Sequence, residues 1–146
     1  MASSLLEAVD IKAPVSVCWS LWADVERWPS FLSHVKHVDR IDATTFAWQV
    51  SLPGADKEFV AELTEVVVED RIAWRTTDGV HHAGVVTFHR LSAVESRVTL
   101  QVEYEPSGFV EHLGALTNLD ATLTNYDLGE FQKMAEHAFA GGEVTP

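Results

Sequence analysis

The run Ser107 to Phe139, SGFVEHLGALTNLDATLTNYDLGEFQKMAEHAF, decides the fold, because it is the one long stretch whose apolar residues repeat with a helical period. Phe109, Leu113, Leu116, Leu123, Phe131 and Ala135 recur at spacings of three, four and seven or eight, while Glu111, Asn118, Asn125 and Glu136 fall elsewhere around the wheel. Pro106 and Gly108 punctuate its start, and Gly141-Gly142 supply the left-handed conformation that stops a helix. The reading is a single long helix that acts as a lid. Asp120, Tyr126 and Asp127 interrupt its apolar stripe, so Asp120 is a candidate pocket residue, whereas Asp127 is expected to be solvated.

Upstream of this helix the period changes. Ser4 to Lys12 alternates loosely and reads as a first strand, closed by Ala13-Pro14. Proline is favoured in the first turn of a helix, and Val15, Cys18, Trp19 and Trp22 then mark a short amphipathic helix to about Val25. Trp28-Pro29 breaks it, and Pro29 is expected to open a second short helix carrying Phe31, Leu32 and Val35 inward. Trp19, Trp22 and Trp28 are expected to pin these helices to the end of a sheet, where the loops can form a pocket mouth.

From Val38 the period is two. Thr45 to Leu52 puts Phe46, Trp48, Val50 and Leu52 on one face, Pro53-Gly54 turns, and Glu58 to Val68 puts Phe59, Ala61 and Leu63 on another. Arg71 to Thr77 pairs Ile72 with Trp74, and Asp78-Gly79 is a hairpin signal. Val80 to Leu91 aligns His82, Gly84, Val86 and Phe88. Arg97 to Glu105 aligns Val98, Leu100, Val102 and Tyr104.

The order is strand, two short helices, about six strands and one long helix, an α+β arrangement built on an antiparallel meander. About seven strands at roughly 4.8 Å spacing span on the order of 30 Å, whereas a helix with its side chains is only about 10 to 12 Å across. One helix cannot cover a flat sheet of that width, so the sheet must curl around it. The inward aromatics Trp48, Trp74, Phe88 and Tyr104 then line a cavity as readily as they fill one, and an apolar concavity with few polar groups is the usual small-molecule site. Phe46, Phe59, Val86, Leu100 and Val102 on the strands, with Leu116 and Leu123 on the helix, complete the expected lining.

Composition excludes several functions. The 146 residues read as one domain, and 10 basic against 22 acidic side chains leave a net charge of -12, which repels phosphate backbones and anionic lipids. Nucleic acid is therefore not an expected partner. No segment reaches the roughly 18 apolar residues of a membrane span. A single cysteine, Cys18, forbids an internal disulfide and fits a reducing cytoplasm. Cys18 falls on the buried face of its helix, with no activating charge pattern nearby, and is expected to be inert packing. The groupings His81-His82, His34 with His37, and His89 lack the supporting spacing of a zinc site, so no metal ligand is assigned. Neither a glycine-rich phosphate loop nor a nucleophile elbow is present, and no cofactor is indicated. An exposed strand edge leaves homodimerisation open.

Pro14 before a Trp-bearing helix, the run Asp24-Val25-Glu26-Arg27-Trp28-Pro29-Ser30-Phe31, Arg71-Ile72-Ala73-Trp74-Arg75, Gly84-Val85-Val86-Thr87-Phe88 and the terminal helix together resemble the polyketide cyclase/dehydrase branch of the START-like (SRPBCC, Bet v 1-like) superfamily. The resemblance covers nearly the whole chain. It implies a helix-grip fold: a curved, antiparallel, seven-stranded sheet around a long C-terminal helix, with two short helices after the first strand and a deep pocket between. Relatives include aromatase/cyclases that fold and dehydrate poly-β-ketone chains and proteins that bind coenzyme Q or other lipids. A polyketide synthase system is accordingly an implied partner. The resemblance further implies a pocket arginine that positions the ketide; this chain instead carries Glu62, Thr64 and Glu65 in the corresponding stretch, and Arg75 alternates with Trp74 and so faces outward.

Two residues remain as candidate catalytic groups. His82 shares a face with Val86 and Phe88, and an imidazole can pass protons in an aldol or dehydration step, although a strand-end histidine beside Gly79 can equally be exposed. Tyr104 could hydrogen-bond a ligand carbonyl, or sit in the core with its hydroxyl satisfied.

Overall fold

The computed structural model describes residues 3–33, 35–52, 55–78, 82–104 and 117–140. Strand β1 (Ser3–Ile11) leads through Pro14 into helix α1 (Val15–Ala23) and a short 3-10 helix (Val25–Ser30). Six strands follow: β2 (Val35–Arg40), β3 (Thr45–Leu52), β4 (Ala55–Val67), β5 (Arg71–Asp78), β6 (His82–Ser92) and β7 (Glu95–Tyr104). Helix α2 (Thr117–Phe139) ends the described chain. All neighbouring strands are antiparallel and the order across the sheet is β1-β7-β6-β5-β4-β3-β2, so β1 lies beside β7 and the open sheet has β1 and β2 as its edges.

The sheet curls, and the register shows where. Leu63 faces Trp74 and Glu65 faces Ala73, leaving Thr64 as an extra residue on β4, and a second shift falls between Val60 and Ala61. Extra residues of this kind bend a strand and increase its twist. Alternation then delivers one apolar face to the interior: Phe46, Trp48 and Val50 on β3, Ile72 and Trp74 on β5, Val86 and Phe88 on β6, and Val98 and Leu100 on β7 are all buried.

Two helices close one end of this trough. Val15, Cys18, Leu21 and Trp22 form the buried face of α1, and Leu128, Phe131 and Ala135 that of α2. Trp22 meets Phe31 at 4.8 Å and Phe131 at 5.3 Å between ring centroids, which locks α1 to α2. The backbone N–H of Lys12 donates to Glu136 at 2.9 Å and ties the end of β1 to the same helix.

Three expectations are corrected. The second short helix does not begin at Pro29 but at Val25, because Val25 and Trp28, three apart, both bury in the tighter 3-10 period, while Pro29 prevents an α-helical continuation. Val35, expected on that helix, instead opens β2, because the 3-10 helix stops at Ser30. Asp127 is not solvated but 1% exposed, accepting a hydrogen bond from the Ser33 N–H at 3.2 Å. Ser107 to Leu116, with Phe109, Leu113 and Leu116, lies outside the described residues, as do Gly141, Gly142, Pro53, Gly54, Gly79, His34 and His81. No described helix is long and apolar enough to cross a membrane.

Candidate functional site

The inner face is not uniformly filled. Toward α1, Phe88 meets the edge of Trp19 at 5.6 Å, and Trp22, Phe31 and Phe131 pack against one another. That end is solid core. Trp28 reaches from the 3-10 helix into the middle of the trough, where its ring sits 5.0 Å edge-on from both Trp48 and Trp74. Its indole N–H donates to the Trp22 carbonyl at 2.8 Å, so the ring is held at its polar corner as well as by packing.

Beyond Trp28 the picture changes. Leu63, Trp74, Gly84 and Val102 form one row across four strands; the Trp74 ring covers Gly84, while Leu63 and Val102 remain half-buried. Thr76 and His82, in the next row, are also half-buried. Accessibility on an inward-facing surface means that this part of the trough is not filled by the side chains packed elsewhere along it. This is the candidate site.

His82 is its polar centre. Its backbone N–H lies beyond the last β5–β6 register pair, Arg75 with Ala83, and donates instead to the Thr76 hydroxyl at 3.0 Å. The Trp74 indole N–H points at His82 Nδ1 at 3.4 Å, a long hydrogen bond, and Phe59 lies 5.7 Å away on another side. Phe59 is in turn stacked on Trp48 at 5.7 Å and 17°. The register sets Tyr104 directly opposite His82, so the backbone brings the two candidate catalytic residues together. The side chain of Tyr104 lies outside the described set.

The remaining candidates divide cleanly. Trp48, Phe59 and Trp74 form the aromatic wall of the site. Phe46, Val86, Leu100 and Phe88 are buried on the same face, and Phe88 belongs to the packed end. Val102 lies in the half-buried row. Leu116 is outside the described residues, while Asp120 and Leu123 fall in the first two turns of α2, where side chains are not described. Trp28 was missed as a site residue, although its place in the Trp-Pro run was a signal that the chain there is doing more than turning.

The inner face carries some charge: the β1–β7 register sets half-buried Glu7 opposite Leu100, and the Asp127 carboxylate is buried on α2. Thr64 and Glu65 are exposed, and Glu62 pairs with the exposed Arg75 at 3.6 Å, so that segment of β4 turns its polar residues to solvent. Across the sheet, an open groove of about 390 Å3 runs along the outward series Ala73, Arg75, Ala83, Val85, Gln101 and Glu103 and also touches Thr64, Trp74 and Gly84. Cys18 is buried with its Sγ 3.2 Å from Ser96 Oγ, and burial pushes its thiol pKa up. No three His, Cys, Asp or Glu side chains assemble as metal ligands among the described residues.

The family model described as polyketide cyclase / dehydrase and lipid transport matches residues 11–133. The chain belongs to this family. An uncharacterized 17.2 kDa protein in the melC2-rnhH intergenic region of Streptomyces lincolnensis is 35% identical over 135 residues, which span 92% of this chain and 90% of that protein. Among solved structures, the Zhui aromatase/cyclase from Streptomyces sp. R1128 superposes with a TM-score of 0.80 at 17% identity, over 98% of this chain and 100% of that one. A START superfamily protein from Mycobacterium smegmatis gives 0.71 at 13% identity, over 94% and 97% of the two chains. At such identities the likeness establishes the helix-grip fold alone. Family membership and fold agree on a curled sheet gripping a C-terminal helix.

Proposed function

We propose that this protein binds a hydrophobic, planar small molecule of polyketide or aromatic type in the trough beside His82 and guides its cyclisation or dehydration. The observation that carries this reading is the half-buried set Leu63, Thr76, His82 and Val102 next to the aromatic wall Trp48, Phe59 and Trp74. Flat aromatic walls favour flat ligands through stacking, and apolar burial at about 25 cal/mol per Å2 supplies the affinity. His82, with Tyr104 across the strand pair, is the group beside the aromatic wall proposed to pass a proton to a ligand carbonyl. Catalysis would consist mainly of holding a reactive chain in one conformation. The family description and the aromatase/cyclase neighbour support this class of chemistry.

A second reading, a non-catalytic carrier for a quinone or lipid, is favoured by one observation: the Trp48, Phe59 and Trp74 rings that wall the site are buried and carry no charge. Native mass spectrometry of the purified protein, followed by titration with aromatic polyketides, quinones and fatty acids while tryptophan emission is recorded, tests binding. Failure to take up any of them ends both readings. Replacement of His82 by Ala beside a partner polyketide synthase separates the two: an altered product pattern with near-normal binding supports the enzyme, and unchanged products support the carrier.

A further inference from the structure

Gly84 faces Trp74 directly across the β5–β6 pair, and the indole covers it. A Cβ placed on Gly84 would lie 2.7 Å from Trp74 Cε2, 2.8 Å from Cη2 and closer still to Cζ2. Trp28 stands 5.0 Å from the ring between centroids, edge-on, itself pinned by the hydrogen bond to the Trp22 carbonyl. Trp74 is thus flanked by a bare backbone and a fixed indole, with its N–H directed at His82 Nδ1.

We propose that Gly84 is a positioning residue for the site: by leaving room for the Trp74 ring, it holds His82 as the tautomer that accepts at Nδ1 and carries its proton on Nε2. Any ligand oxygen that reaches Nε2 in this tautomer meets a donor rather than an acceptor. Thr76 holds the backbone of His82 from the other side, so the ring is fixed from both ends of the residue. The choice of ligand oxygen rests on the function proposed above; the geometry of the three residues does not.

The test uses the full chain without ligand. Nitrogen NMR of the His82 ring is expected to show an unprotonated Nδ1 and a protonated Nε2, with the Trp74 indole proton protected from exchange. In Gly84→Ala the Nδ1-protonated form should become populated and the Trp74 indole proton should lose its protection, whereas the control Gly129→Ala leaves both signals unmoved. Should Gly84→Ala fail to fold, Gly84→Ala combined with Trp74→Phe removes the benzo ring that clashes, and folding should return with the same tautomer mixture as Trp74→Phe alone. An unmoved His82 spectrum in Gly84→Ala, or a double variant that stays unfolded, overturns the proposal. Uptake of 1,4-naphthoquinone by the wild type is measured in parallel. Loss of uptake with an intact tautomer signature counts against the proposed function and leaves the positioning role standing.

Discussion

Cys18 is the simplest residue on which to check the packing. It is wholly buried, its Sγ rests on the Ser96 hydroxyl, and that hydroxyl donates to the Ala13 carbonyl at 2.9 Å. With its pKa raised by burial, little thiolate exists at neutral pH. A thiol reagent should therefore leave the native protein unlabelled and react fully only in denaturant; rapid native labelling contradicts this environment. Trp28 is the residue with most to lose. Its replacement by Ala should cost about 3 to 5 kcal/mol, the usual range for a buried tryptophan, measured by chemical denaturation. At this scale the sequence was half legible. Alternation identified Trp48 and Trp74 as inward, because a strand's two faces are fixed by its period. It could not say that Trp28 would stand between them, since that contact joins segments with no shared period. Asp127 was misread for another reason: its type suggested water, but its place four residues before Phe131 put it on the buried face, and the Ser33 N–H gives its carboxylate a partner there.

Elements carry the next tests. Gly129 lies inside α2, and a Cβ on it would meet no atom within 4 Å among the described residues. Glycine costs a helix interior about 0.5 to 1 kcal/mol relative to alanine, so Gly129→Ala should raise stability by about that amount in a denaturation curve. A loss instead would mean that the helix needs this position bare. Strands β1 and β7 are joined by the exposed pair Asp10 and Arg97, with 2.6 Å between Oδ1 and Nε. The hydrogen bond from Arg97 holds the Asp10 carboxyl below its ordinary value. Its folded value thus lies under its unfolded one, so the contribution is present above about pH 4 and disappears as pH falls through the folded value. Melting curves should show wild type ahead of Asp10→Asn at neutral pH and the gap closing in acid; a gap independent of pH refutes the assignment. Apart from β2, whose Val35 was read as helical, the strands were readable from alternation to within a residue or two at most ends. The curl of the sheet was argued from widths alone, because a bulge such as Thr64 leaves no mark that composition or period can register.

For the whole molecule, charge decides the sign of the salt response. A net charge of -12 makes like-charge repulsion outweigh the scattered ion pairs. Between about 0.01 M and about 0.1 M salt the Debye length falls from about 30 Å to about 10 Å, so the melting temperature should rise over that range. A fall would mean that pairs such as Asp10–Arg97 and Glu65–Arg71 dominate instead. The curled sheet also has a consequence at its far border. Because it does not close on itself, β2 is left as an outermost strand, and that strand is short, irregular in register near Val35, and fringed by exposed Lys36, His37, Asp39 and Arg40. A second chain extending the sheet there would have to lay mixed charges against a bent ribbon of six residues. Such a rim discourages strand-by-strand stacking into fibres, which lets the protein keep an open trough without becoming a template for aggregation.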